Sequence, residues 1–195
     1  MPDSPLNLAV IIGSVREGRF GPTVANWFVR QTEGHENIEV DLIDLADGPL
    51  GTSAPAMNPD DRMMDGIKQL TPRLAAADAF VVVTPEYNHS YPGSLKNVLD
   101  WHNLQFQAKP VAFVSYGGIS GGLRAVEHLR QVFAELHAVT TRDTVSFHNA
   151  GAQFGPDGEP LDPEATSAAA KVLLDQITWW GQALKEARAK APYGS

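Results

Sequence analysis

The stretch at residues 78–101, DAFVVVTPEYNHSYPGSLKNVLDW, constrains the fold more than any other part of the chain. Residues 79–83 are a continuous apolar run rich in β-branched side chains, the pattern of a parallel strand buried on both faces by helices. Thr84 ends the run. From Pro85 to Tyr91 the sequence is polar, aromatic and interrupted by proline, so the backbone must leave the ladder at the strand's carboxyl end. A helix follows over 93–102. Pro92 stands at its start, where a missing N–H costs little, and Leu95, Val98 and Leu99 share one face at i, i+3, i+4. In an open α/β sheet, a loop leaving the carboxyl end of a central strand is where ligands bind. Tyr87, Asn88, Tyr91 and the free amides suit a flat aromatic ligand with polar edges. Taken singly, each is as much at home in a rigid surface turn.

The same alternation of strand and helix runs along the chain. Residues 8–12 form an apolar, central first strand. The loop GSVREGRFGPT follows, and then a helix with Val24, Trp27 and Phe28 on one face. A strand-loop-helix unit of this kind makes an anion site: the first helical amides point outward, the helix dipole favours negative charge, and hydroxyls or guanidinium groups complete the cage. Arg16 and Arg19 are planar forks suited to phosphate oxygens, and Ser14 and Thr23 offer hydroxyls. The plain alternative is a polar loop with solvated arginines, which fits Arg19 better than Ser14 or Arg16. From Gly13 the loop meets G-x-x-x-x-G but continues Arg-Phe where a nucleoside-triphosphate loop needs Lys-Ser/Thr, which excludes that chemistry. Val15 breaks the dinucleotide pattern G-x-G-x-x-G. A monophosphate fits.

A second strand is expected at 38–43 and a long loop at 47–59. A helix over 61–77 should carry Met64, Ile67 and Leu74 inward, with Pro72 kinking or breaking it. Residues 110–115 read as a fourth buried strand, and a glycine-rich turn then leads into a helix over 123–138. There Val126, Leu129, Val132, Phe133 and Leu136 face inward. A less apolar fifth strand spans 140–147, and a loop over 149–163 is placed to cover a neighbouring subunit. The terminal helix, 164–190, turns Val172, Leu173, Ile177, Trp180 and Leu184 inward, Trp179 and Trp180 serving as packing and not as a cofactor platform. Residues 191–195 form a frayed tail.

TPEYNHSYPGSLKNVLDW together with the Ser14, Arg16, Arg19 loop resembles the NADPH-dependent FMN reductase family. The resemblance is strongest over 12–30 and 82–101 and weak over 46–60. It implies a flavodoxin-like, three-layer, doubly wound five-stranded parallel sheet of order 2-1-3-4-5, built as one domain. It also implies noncovalent FMN reduced by NADPH or NADH, with two electrons then passed to a quinone, azo compound, metal oxyanion or free flavin. The implied cofactor site comprises Gly13, Ser14, Arg16, Arg19, Phe20, Gly21 and Thr23 at the phosphate. Pro85, Glu86, Tyr87 and Asn88 lie beside the ring, and Ser115, Tyr116, Gly117 and Gly118 meet it from the other side. No catalytic acid or base is implied, and Glu86 is expected to orient its loop or reach a second subunit. The 46–60 loop is expected near the mouth of the flavin site, where it shapes acceptor specificity. Family members pair through the helices here at 93–102 and 121–137, so a homodimer or a dimer of dimers is expected.

Composition narrows the partners. With 15 Lys+Arg against 23 Asp+Glu the net charge is -8, which argues against nonspecific binding to nucleic acid or an anionic membrane. The chain has no cysteine, so any redox chemistry needs a borrowed cofactor. The leading apolar run has no basic segment before it and is too short for a span, and a soluble cytoplasmic protein is expected. The six histidines form no sequence pattern of metal ligands, and no metal is expected. Two rival functions share these features. A non-enzymatic flavodoxin-like electron carrier would lack rapid reduction by NADPH. A serine hydrolase would use Ser120 of G-x-S-x-G with Asp143 and His148, although four residues separate Ser115, at the strand end, from Ser120.

Overall fold

A computed structural model describes residues 5–35 and 37–194. The first four residues, residue 36 and the last residue lie outside it, and with them the start of the leading segment and the final residue of the tail.

Parallel strands β1 (Leu6–Ile12), β2 (Ile38–Asp44), β3 (Ala79–Pro85) and β4 (Pro110–Tyr116) form the body of the sheet in the order β2-β1-β3-β4. β3 and β4 are buried at every position, as two-sided helix cover requires. β3 runs two residues further than its apolar run, because Pro85, which has no N–H to give, pairs with Tyr116 at the very end of the ladder. On β1, Leu8, Val10 and Ile12 face a layer made by α1 (Gly21–Thr32) and α5 (Pro163–Lys190). Ala9 and Ile11 face the layer of α2 (Asp61–Ala76), α3 (Gly93–Trp101) and α4 (Leu123–Glu135). The two cores follow directly from the period-two alternation of strand side chains.

The fifth position of the sheet is divided. β5 (Val139–Thr140) pairs with Pro110 and Val111, and β6 (Val145–Phe147) pairs with Val114 to Tyr116. Between these registers β4 advances three residues, Val111 to Val114, while the edge advances five, Thr140 to Val145, so two extra residues bulge out. The carbonyls released there are not lost to solvent. Arg130 of α4 donates to those of Thr141 and Arg142 at 2.6 and 3.0 Å.

Several side chains face differently from their expected direction. Met64 and Trp180 are each 36% exposed and Val172 is 48% exposed. In α2 the buried stripe runs through Met63, Gly66 and Leu74, with Gly66 pressed on Pro49, which turns Met64 about 100° away. In α5 the stripe runs through Ala170, Leu173, Leu174, Ile177 and Gly181. A side chain at Gly181 would start 2.8 Å from Leu6, so the helix comes closest to β1 at that glycine and both tryptophans roll outward. Pro72 lies inside α2 without ending it. The loop over 149–163 packs on its own chain: Phe154 meets Phe20 and Phe147 with ring centroids 5.2 and 4.8 Å apart, and Arg30 pairs with Glu159. The tail is pinned at Tyr193, whose hydroxyl lies 2.9 Å from His137 Nδ1.

Candidate functional site

Three loops leave the carboxyl ends of β1, β3 and β4 side by side, and most residues singled out in the sequence lie on them. Ser14 is fully buried, and its hydroxyl lies 2.7 Å from that of Tyr87, joining the first loop to the second. Arg16 is exposed, with its guanidinium 5.6 Å from the centre of the Tyr87 ring. Ser94 of α3 donates to the Gly13 carbonyl at 2.6 Å, holding the first loop from below. Tyr87 and Ser90 exchange backbone hydrogen bonds of 2.8 and 3.2 Å around Asn88 and His89, both left-handed at φ 49 and 74. This is the two-residue turn that matches strand twist. It presents the Asn88 side chain to solvent. The third loop leaves β4 after Ser115 and Tyr116, the last two strand residues, and runs through Gly117 and Gly118; the Ser115 hydroxyl donates to the Gly121 carbonyl at 2.8 Å.

The start of α1 is built for an anion. Its N-cap, Phe20, makes no side-chain capping bond, Pro22 stands in its first turn, and no acidic residue follows. Its first amides are therefore left free, at the positive end of the helix dipole. Two buried polar atoms beside it have no partner, Arg19 Nε and the Tyr116 hydroxyl. The phenol faces Gly21, since a Cβ there would start 2.9 Å from it and from Ile12. Burial, and next the neighbouring Tyr87, push the Tyr116 phenol well above its usual range, so it remains a donor at neutral pH. Arg19 is not wholly free. Its Nη2 lies 2.6 Å from Asp44 at the end of β2, and Asp44 in turn accepts from Ala46 N–H at 3.0 Å. Apart from that carboxylate the lining is made of donors: amides, hydroxyls and guanidinium groups. Such a set fits a phosphate monoester.

Glu86 is directed away from this cradle. Its side chain is 5% exposed and paired with Arg124 at 2.6 Å. The hydrolase constellation is not assembled. Ser120 acts on Glu86, helping to hold its carboxyl below its usual range, Asp143 hydrogen bonds to Gln176 and Arg142, and His148 Nδ1 lies against the Ile119 carbonyl. A cavity of about 110 Å³ under the 45–51 turn, lined by Asp44, Leu45, Leu50, Gly66 and Leu70, is small against the several hundred Å³ a cofactor occupies. The 47–59 loop otherwise holds one short 3₁₀ turn, Leu50–Thr52. Sequence reasoning missed Asp44, Ser94 and Arg124 as participants. Arg124 carried a signal, because a cation in the first turn of a helix opposes the helix dipole unless a carboxylate reaches it.

A doubly wound sheet of order 2-1-3-4-5, with loops leaving β1, β3 and β4 together at its carboxyl edge, defines the flavodoxin-like fold. The family model for NADPH-dependent FMN reductase matches residues 6–152. An NAD(P)H-dependent FMN reductase of Schizosaccharomyces pombe is 40% identical over 119 residues, 59% of this chain and 60% of that protein. An FMN-dependent NADPH-azoreductase of Staphylococcus haemolyticus is 32% identical over 178 residues, covering 86% of this chain and 91% of the relative. Among solved structures, the flavoenzyme NAD(P)H:(acceptor) oxidoreductase FerB of Paracoccus denitrificans superposes with a TM-score of 0.70 over 91% of this chain and 98% of that one, at 22% identity, a likeness of fold. The chain belongs to the NADPH-dependent FMN reductase family and is an oxidoreductase of the FMN-dependent class.

Proposed function

We propose that the chain, acting as one flavodoxin-like domain, binds FMN noncovalently and passes two electrons from NADPH or NADH to a small-molecule acceptor such as a quinone or azo compound, with metal oxyanions and free flavin within the same class. The observation that carries this reading is the pair of buried, unpartnered donors, Tyr116 hydroxyl and Arg19 Nε, beside the uncapped start of α1. A buried donor left unmade costs about 1–3 kcal/mol, and a bound phosphate would recover it.

Ser14, Arg16, Arg19, Phe20, Gly21 and Thr23 surround the phosphate in this arrangement, with Gly13 at the strand end. Pro85 to Asn88 line one side of the ring, and Ser115 to Gly118 meet it from the other. Bound FMN supplies the hydride-accepting and electron-delivering chemistry that no side chain of a cysteine-free chain provides. The work of the protein is then to hold and orient. Tyr87 and Asn88 fix the plane of the ring, and the small residues of the third loop let the backbone approach it.

The relative from Staphylococcus haemolyticus, named an FMN-dependent NADPH-azoreductase, supports a planar aromatic acceptor. We assign the homodimer contact to the exposed faces of α3 and α4, where Leu123 is 42% exposed and Ile119, just before α4, is 86% exposed; a dimer of dimers extends it. Among the described residues no helix is long and apolar enough to cross a membrane, and a cytoplasmic location fits the use of NAD(P)H.

The test is direct. The purified protein is expected to be yellow, or to take up added FMN, and to bleach on addition of NADPH without oxygen, whereas a simple electron carrier would stay oxidised. Arg16→Ala should lose flavin on dialysis. A colourless protein that refuses FMN, or an Arg16→Ala variant that holds it as firmly as the parent, sinks the proposal.

A further inference from the structure

Helix α4 begins without the usual means of satisfying its first amides. Its N-cap is Gly122 at φ 87, no side chain of its own caps it, and no acidic residue stands in its first turn. The second helical residue is the cation Arg124, where the dipole would favour a carboxylate. That carboxylate arrives from another loop. One oxygen of Glu86, 38 residues earlier, accepts from the Arg124 backbone N–H at 3.2 Å, and the other lies 2.6 Å from the Arg124 guanidinium.

The backbone of Glu86 is tied to the same region. Its N–H donates to the Tyr116 carbonyl at 3.1 Å, and its Cβ lies 3.6 Å from the point where a side chain on Gly117 would begin. Residues 117–122 hold four glycines, of which Gly121 and Gly122 are left-handed at φ 61 and 87. Such a segment has much conformational freedom to lose on ordering, and external ties must offset that cost. Burial opposes ionisation of Glu86, but Ser120 and Arg124 outweigh it and hold the carboxyl below its usual range. It is an anion at neutral pH and has no proton to give, which removes it as a general acid.

We propose that Glu86 is a positioning residue that caps α4 from the preceding loop and so fixes the separation of residues 86–88 from the 117–122 segment, between which the flavin ring is held. The inference rests on the ring placement given above. Thr84 and Pro85 pair with Ser115 and Tyr116 in the ladder, which sets the spacing there; beyond it, the spacing of residues 86–88 from 117–122 depends on contacts between the loops. Besides the Glu86 N–H bond to the Tyr116 carbonyl and the Ser90 contact with His128, the Glu86 carboxylate supplies the tie to the start of α4: the Arg124 amide and guanidinium converge on it.

Glu86→Ala and Glu86→Gln separate this role from a merely structural one. FMN affinity of the apoprotein is measured by quenching of flavin fluorescence, the ring environment by the visible circular dichroism and midpoint potential of the bound flavin, and the fold by far-ultraviolet circular dichroism and melting. Glu86→Ala should keep the α/β signature while weakening FMN by roughly tenfold, the scale of a lost helix cap, and should shift both the visible dichroism and the potential. Glu86→Gln, whose amide oxygen still accepts from Arg124 N–H, should recover most of the affinity. Arg124→Leu, which spares the carboxylate-to-amide bond, should fall between the two.

Glu86→Ala protein with the parent's affinity, dichroism and potential would overturn the inference while leaving the flavin site intact. So would an affinity loss that Gln does not repair, accompanied by collapse of the far-ultraviolet spectrum. A parent that binds no FMN overturns the ring placement itself, a failure visible before any variant is made.

Discussion

The hydroxyls of Ser14 and Tyr87 lie 2.7 Å apart, so the loop after β1 and the loop after β3 share one hydrogen bond. Ser14 also lies 3.4 Å from the Arg16 amide, at the outer limit of a bond. Ser14→Ala leaves the Tyr87 phenol without its partner inside a part-buried contact. The expected cost is about 1 kcal/mol of apoprotein stability and roughly a tenfold loss of FMN affinity. Thermal melting of the apoprotein and FMN titration check the two numbers separately. Tyr87→Phe should produce the affinity loss with a smaller change in melting, because Ser14 keeps the hydrogen bond it accepts from the Arg16 N–H.

Gly21 and Tyr116 form a second pair. A methyl group on Gly21 would start 2.9 Å from both the Ile12 side chain and the Tyr116 hydroxyl, and Ile12 is held in the central strand at 2% exposure. Gly21→Ala should therefore cost about 1–3 kcal/mol through overpacking. Tyr116→Phe should act in opposite directions on the two states. Removing an unpartnered buried hydroxyl stabilises the apoprotein by roughly 1 kcal/mol, while the loss of a donor weakens FMN binding about fivefold. If Tyr116→Phe raised the melting point and left FMN affinity untouched, the phenol would be an idle group.

Most of this arrangement is legible in the sequence because it is local. The apolar runs of β1, β3 and β4, the Gly-Ser-x-Arg loop and the proline-bounded PEYN segment each declare themselves within a dozen residues, and the order of the sheet is implied by the resemblance those motifs carry. What could not be read is what depends on residues far apart. Arg19 finds Asp44 across 25 positions and Glu86 finds Arg124 across 38, and neither pairing leaves a periodic trace. The faces of Met64 and Trp180 were misjudged for a related reason. In α2 and α5 a glycine, Gly66 or Gly181, sits on the closest-approach face, and a glycine adds nothing to a hydrophobic periodicity. The split fifth strand was hidden because the bulge is filled by Arg130 from another element.

Asp78, at the amino end of β3, accepts from the Asn7 amide at 3.1 Å and pairs with Lys185 at 2.8 Å and Arg188 at 3.4 Å, with its side chain only 12% exposed. Asp78→Ala leaves two part-buried cations facing one another, and a loss of roughly 3 kcal/mol is expected. The loops proposed to hold FMN lie at the opposite, carboxyl end of the same strand. FMN affinity measured well below the melting point should therefore match the parent, and a large change would mean that the two ends of the sheet are coupled.

Lys109 sets the pH dependence of stability. Its ammonium donates to the carbonyls of Leu74 and Ala75 at 3.1 and 2.9 Å and lies 5.5 Å from the Phe80 ring. Burial, and next the nearby Arg188, lower its pKa to about 8, with Asp78 opposing them. The unfolded chain keeps this proton up to the usual lysine range while the folded chain releases it near 8, so the unfolded state binds more protons between those values. Stability therefore rises with pH across the window from about 8 to about 10, by roughly 2–3 kcal/mol at most. Above about 10 the sign reverses, because unfolded tyrosine ionises there while burial keeps Tyr116 protonated in the fold. Denaturant melts of the apoprotein at a series of pH values should show a maximum near pH 10. Lys109→Met should abolish the rising limb and preserve the fall, since Tyr116 is untouched. A parent whose stability falls steadily from pH 8 upward would show that the Lys109 amine keeps its proton in the folded state, held by the two carbonyls at the end of α2.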